Sequence, residues 1–173
     1  FIEKLAARAA LIKLGDPMDL GTQMGPVISK SALERCHYFI AKALSEGGRQ
    51  VAGAEELDLN DPFANGYYIR PTIFADVQPH HRLFKDEVFG PVISITSFDT
   101  DQEATELANA GEFGLGVSIW SRDVARAHRL SNQIRGGIVW LNDHHRNDPR
   151  SVWGGVKDSG FGKENGWDAL RSY

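Results

Sequence analysis

The 173-residue sequence predicts an α/β fold with a partly parallel sheet and βαβ crossovers. Two observations carry that prediction. From Val92 onward, β-branched apolar runs alternate with helical periodicity: VISITSF, a helix around DQEATELANAG, LGVSIW, a helix around DVARAHRLSNQI, and GIVWLN. Strands joined by helices of that length pair in parallel through right-handed crossovers. In addition, 42% hydrophobic residues give a chain of this length enough apolar surface for a real core.

The elements follow in order. Ile2, Leu5, Ala6, Ala9 and Ile12 form a helical stripe that Gly15-Asp16-Pro17 ends. Ser31-Ala32-Leu33-Glu34 has the form of a capping box, with Ser31 accepting from the third backbone N–H, and a helix ending in Gly47-Gly48 follows. RQVAG reads as a short strand, and AEELDLNDPFANG as a polar loop. YYIRPTIF alternates like a strand, but Pro71 lacks a ladder N–H and argues for an edge or irregular strand. After Asn142 the periodicity dissolves into DHHRNDPRSVWGGVKDSGFGKENG, a long glycine-rich segment of the kind that carries function.

Composition narrows the partners. A formal net charge of −4, with Lys and Arg scattered, leaves no footprint for nucleic acid or anionic lipid. No apolar run approaches the roughly 20 residues of a membrane span, and FIEKLAARAA reads as an amphipathic helix rather than a leader. A single cysteine excludes a disulfide framework and points to a reducing, cytoplasmic setting. The chain opens inside a helical pattern and is expected to be one partial domain, residues 1–173, of a longer protein.

Four features invite chemistry. Cys36 lies mid-helix, where neighbours point about 100° apart, so His37 is poorly set to act as its base and the thiol reads as structural. His144 and His145, between Asp143 and Asp148, lack a third ligand at a recognisable spacing and read as a pocket wall rather than a metal site. GFGKENG has the spacing GxGxxxG with no strand before it, and its glycines serve tight turns rather than a phosphate. In KDEVFGPV, two readings stay open. Asp86 and Glu87 face water on a solvated turn, or Glu87 accepts from ligand hydroxyls while Phe89 packs on a flat heterocycle. Glu87 stands at the amino end of VISITSF, whereas doubly wound sheets bind ligands at carboxyl ends; counted from YYIRPTIF, it falls after a strand instead.

The ordered series LGDP, GPVIS, GYYIRPTIF, DEVFGPV, GLGVSIWSRD, GGIVWLND and WGGVKDSGFGKENG resembles the C-terminal half of the catalytic domain of the NAD(P)-dependent aldehyde dehydrogenase superfamily, from Phe1 to Tyr173. The resemblance implies that Glu87 hydrogen-bonds the nicotinamide ribose and that Phe89 contacts the nicotinamide side of NAD or NADP. It makes Asn142 the residue closing the strand after Trp140, sets Asp143, His144, His145 and Arg146 beside the aldehyde entrance, and puts Trp153 in the substrate tunnel. Relatives usually carry Phe at that last position, and the indole implies an apolar or aromatic aldehyde.

The family oxidises an aldehyde to a carboxylic acid through a cysteine thiolate, a thioester and a glutamate-activated water. The resemblance places that cysteine, the general base and the Rossmann-like cofactor domain upstream of Phe1, so no catalytic residue is expected in these 173 residues. It also implies a homo-oligomeric parent, with the choice between NAD and NADP set outside the chain. An isolated chain of this content is expected to be inactive. Two other readings remain: a non-catalytic scaffold that keeps the fold, and a crystallin-like structural protein derived from it.

Overall fold

The computed structural model describes residues 1–53, 57 and 65–171. They form two compact units, Phe1–Ser97 and Phe98–Tyr173. Most of the expected loop AEELDLNDPFANG lies outside the described residues.

The first unit holds α1 (Ile2–Ala10), α2 (Lys30–Ser45), β1 (Arg49–Ala52), β2 (Thr72–Ala75), α3 (Arg82–Lys85) and β3 (Val92–Ser94). Its three strands run in the order β1-β2-β3, with β1 antiparallel and β3 parallel to β2. α1 stops at Ala10, short of the expected Gly15. The cap of α2 is Ser29, not Ser31. Ser29 is extended and its Oγ accepts from Ala32 N at 3.2 Å, while Ser31 lies in the first turn with its hydroxyl 2.9 Å from that of Ser29. The glycine stop holds, with Gly47 in the left-handed region at φ 91°.

YYIRPTIF does not form one strand: the ladder begins only after Pro71, at Thr72. That agrees with an irregular strand, but β2 is central and fully buried rather than an edge. VISITSF is regular only over Val92–Ser94, although Ile95 N still donates to Phe74 O at 2.8 Å. Cys36, Phe39 and Ala43 from α2 pack with Phe74, Val77, Leu83 and Val88 as the core of this unit. Each large side chain so buried contributes about 1.5–3 kcal/mol.

The second unit holds α4 (Asp101–Asn109), β4 (Phe113–Gly114), β5 (Gly116–Ile119), α5 (Val124–Ser131), β6 (Ile138–Leu141), β7 (Val156–Lys157) and α6 (Gly166–Leu170). Thr100 caps α4 by accepting from Glu103 N, and Asp123 caps α5 by accepting from Arg126 N. Of the two expected crossovers, β5, α5 and β6 form a parallel βαβ unit, with Gly116 to Ile119 opposite Ile138 to Leu141, whereas β3 and β5 pair in different sheets. β4 pairs antiparallel with β7, a contact no periodicity announced. Ala127 and Trp140 are its buried apolar residues. No helix among the described residues is long and apolar enough to cross a membrane.

Candidate functional site

The loop from Asp86 to Pro91 leaves α3 and returns to the start of β3. Thr72 opposes Val92, and Thr72 N donates to Pro91 O at 2.9 Å, so the loop stands at the amino ends of both parallel strands. Counting from β2 therefore does not bring Glu87 to a carboxyl end, because α3 carries the chain back first.

Within that loop, burial alternates. Val88 is 6% exposed and anchors in the core, whereas Phe89 is 73% exposed and Glu87 faces solvent. Glu87 has no hydrogen-bond or ion-pair partner among the described residues. Glu87, Val88, Phe89, Gly90 and Val92 line a shallow hollow. Phe89 adopts φ 55°, a left-handed conformation unusual for an aromatic residue. Two contacts from α2 hold it there. Arg35 Nε donates to Val88 O at 2.7 Å and its Nη2 to Phe89 O at 3.4 Å, while the guanidinium lies 6.0 Å from the Phe89 ring centre. Beneath the turn, Gly90 abuts Cys36, and a Cβ at Gly90 would overlap Sγ.

Cys36 is fully buried, and that burial pushes its thiol pKa up, with the neighbouring Arg35 charge opposing in part. The sulfur is thus a packing atom that favours the neutral thiol, as the sequence reading expected. Asp86 is not simply hydrated: it pairs with Arg82 one turn back on α3. A separate hollow between α1 and β1 is walled by Ala6, Ala9, Ala52 and Pro71, with Arg70 at its edge, and contains none of the expected site residues.

In the second unit Asn142 closes β6. Its N–H donates to Ile119 O at 2.8 Å, its side-chain oxygen accepts from Ser121 N and its amide donates to Ser121 O, both at 2.9 Å. These three bonds serve the junction between β6 and the segment that follows β5, and its φ of 53° is a left-handed value that asparagine tolerates. Asp143 Oδ1 accepts from His144 N at 2.9 Å, and His144 Nδ1 lies 2.8 Å from Ser118 Oγ. His144 and His145 both stand near Trp140, with ring centres 5.8 and 6.1 Å away. The Trp140 indole donates to Arg146 O at 2.8 Å, which ties the loop down to its strand.

Trp153 pairs with Glu164 across an isolated antiparallel bridge, with both N–H···O distances 2.7 Å. Its indole N–H is buried without a partner among the described residues. Asp143, Trp140, Asp148 and Arg150 line a hollow of this loop; Asn142, His144, His145 and Trp153 are not in its wall. The bridge folds GFGKENG back on WGG, and Gly160 and Gly166 take left-handed φ values of 106° and 62°, the turn role expected for them. Among the described residues no group of three or more His, Cys, Asp or Glu could hold a metal ion.

Sequence reasoning missed Arg35, Ser118 and Trp140. Arg35 and Ser118 contact residues 53 and 26 positions away, a separation no local pattern encodes. Trp140 was read only as part of the strand GIVWLN, and a tryptophan indole that needs an acceptor when buried was the available signal.

Known proteins resemble the whole chain. Betaine aldehyde dehydrogenase of Cereibacter sphaeroides is 42% identical over all 173 residues, and that of Rhizobium etli 39%. The chain spans 35% of the length of each. Among solved structures, betaine aldehyde dehydrogenase of Staphylococcus aureus in complex with NAD+ matches with a TM-score of 0.93 at 36% identity, over 99% of this chain and 34% of that one. An aldehyde dehydrogenase from Bartonella henselae matches with a TM-score of 0.92 at 37% identity, over 99% and 36% of the two chains. The aldehyde dehydrogenase family model matches residues 1–173, and the chain belongs to that family.

Proposed function

We propose that this chain is the nicotinamide-side and substrate-tunnel portion of an enzyme that oxidises an aldehyde to a carboxylic acid with NAD or NADP. The observation that carries the proposal is the loop at Glu87 and Phe89, which presents a carboxylate without a partner among the described residues and an open aromatic face side by side. A free carboxylate accepts from vicinal ribose hydroxyls in charge-assisted hydrogen bonds, and a ring beside it packs on a flat heterocycle. The nicotinamide, when bound, supplies the hydride acceptor. The residues of this chain orient it: Glu87 fixes the ribose, and Phe89 walls one side of the ring.

On this reading Trp153 lines the aldehyde tunnel, with Asn142, Asp143, His144 and His145 near its entrance. The Cereibacter, Rhizobium and Staphylococcus relatives are betaine aldehyde dehydrogenases, and the quaternary ammonium of betaine aldehyde suits an indole face, worth about 0.5–2 kcal/mol. We therefore propose a cationic aldehyde, rather than the apolar or aromatic one that the indole alone implied. Cys36 is the only cysteine and is buried with a raised pKa, which supports the reading that these 173 residues alone do not turn over aldehyde. The parent enzyme is proposed to work in the cytoplasm as a homo-oligomer.

The test is made in the full-length protein carrying this chain. Glu87→Gln is expected to slow hydride transfer in single-turnover assays while the protein stays folded. Trp153→Ala is expected to raise KM for betaine aldehyde about tenfold and leave that for a neutral aldehyde nearly unchanged. Unaltered hydride transfer removes the cofactor role, and equal loss on both aldehydes makes Trp153 ordinary core.

A further inference from the structure

We infer that Arg35 is a positioning residue for the nicotinamide, acting through the backbone of Val88 and Phe89. The inference rests on the clamp reading of Glu87 and Phe89. Phe89 is held at φ 55°, where an L side chain larger than Asn is rarely found, and the turn must be kept there by outside contacts. Arg35 supplies them: Nε reaches Val88 O at 2.7 Å and Nη2 reaches Phe89 O at 3.4 Å. A guanidinium is a rigid planar fork that restrains the two carbonyls relative to each other; its short bond to Val88 O is of the stronger, charge-assisted kind, and the longer contact to Phe89 O is the weaker of the two.

The fork is itself well anchored. Arg35 leaves α2 one residue before Cys36, which is fully buried against Gly90, and Phe39 and Ala43 continue the same buried face. No carboxylate among the described residues forms an ion pair with Arg35; its guanidinium bonds go to these two carbonyls. With the carbonyls of 88 and 89 turned toward α2, Val88 points into the core while Glu87 and Phe89 are left exposed. The guanidinium near the Phe89 ring, at 6.0 Å, restrains that ring as well.

Arg35→Met keeps the stem and deletes the fork. In the full-length protein it is expected to raise KM for NAD and slow single-turnover hydride transfer by about three- to tenfold, with KM for aldehyde unchanged. Arg35→Lys, which offers a point charge rather than a fork, is expected to fall between wild type and Arg35→Met. Because Arg35 acts through the clamp, adding Arg35→Met to Glu87→Gln is expected to cost less than about twofold more than Glu87→Gln alone.

Full multiplication of the two defects, or an aldehyde KM that rises in step with that for NAD, overturns the inference. If Arg35→Met does not fold, Arg35→Lys decides: a raised KM for NAD supports the role and a wild-type value overturns it. Should Glu87→Gln itself leave NAD binding and hydride transfer unchanged, the clamp reading fails and takes this inference with it. If Glu87→Gln is impaired while Arg35→Met is not, only the role of Arg35 fails.

Discussion

The loop at Asp86–Pro91 and the loop that follows Leu141 carry the proposed site residues, but they are held in opposite ways. The first is held from a distance: Arg35 and Cys36 on α2 grip a turn more than fifty positions away, and Val88 is sunk in the core of its unit. The second is held mostly by near neighbours: Asp143 bonds His144 N, Asp148 accepts from Arg150 N at 2.9 Å, and the Trp140 indole reaches Arg146 O. A loop fixed by tertiary packing keeps its exposed side chains aimed while leaving their polar groups free. A loop fixed by its own side chains spends part of their polar capacity on itself, as Asp143 and Asp148 do.

The sharpest way to break this contrast is Gly90→Ala. A methyl there collides with Cys36 Sγ, and the overpacking is expected to cost about 1–3 kcal/mol in denaturant unfolding. Combining it with Cys36→Ala removes the sulfur and should recover part of that loss. Additive costs would mean that the two elements are not in contact as described.

Asn142→Ala comes next. It deletes both side-chain bonds to Ser121 and leaves alanine at a left-handed φ, an expected loss of about 1–2 kcal/mol. The damage should stay local, read as faster hydrogen exchange at Ser121 N with the clamp unaffected. A fall in NAD affinity instead would show that Asn142 does more than close the strand.

A smaller effect concerns Cys36. Its raised pKa means that the folded state holds the thiol proton more tightly than the unfolded chain. The associated stability is complete at neutral pH and is lost as pH rises through the folded value. Native protein is expected to resist a thiol reagent near neutrality and to react on unfolding, which labelling followed by mass measurement would establish. Immediate labelling of native protein would place the sulfur at the surface.

The smallest expected change is acid dependence. The Arg126 side chain lowers the Asp101 pKa, the Arg150 side chain that of Asp148, and the Arg82 backbone N–H that of Glu46. Groups with depressed values stabilise above their unfolded pKa and stop doing so as pH falls through the lower folded one. All three are solvent-screened, so Asp148→Asn should only slightly flatten the acid side of the stability profile.

Much of the fold was legible because its signals are local. The βαβ rhythm of β5, α5 and β6 announced itself by alternating period, and α2 by its glycine stop. Ser29 was passed over for Ser31 because two serines two apart offer the same cap, and only the extended φ of Ser29 separates them. The antiparallel β4–β7 pair joins two-residue strands more than forty positions apart, too short to show any period. For the site, the resemblance supplied Glu87 and Phe89, while the residue that grips the turn at Val88 and Phe89 was hidden beside a cysteine judged inert. That judgement was sound for the sulfur and silent about Arg35.

On the proposed function, Asp86–Pro91 is a preformed clamp for the nicotinamide end of the cofactor. A crystal structure of the full-length protein with NAD+ tests it most directly. A Glu87 carboxylate oxygen is expected within hydrogen-bond distance of the nicotinamide ribose hydroxyls, with the Phe89 ring against the nicotinamide side and Arg35 still on the carbonyls of Val88 and Phe89. A cofactor whose nicotinamide ribose is held by other residues, with Glu87 and Phe89 left in solvent, would contradict it.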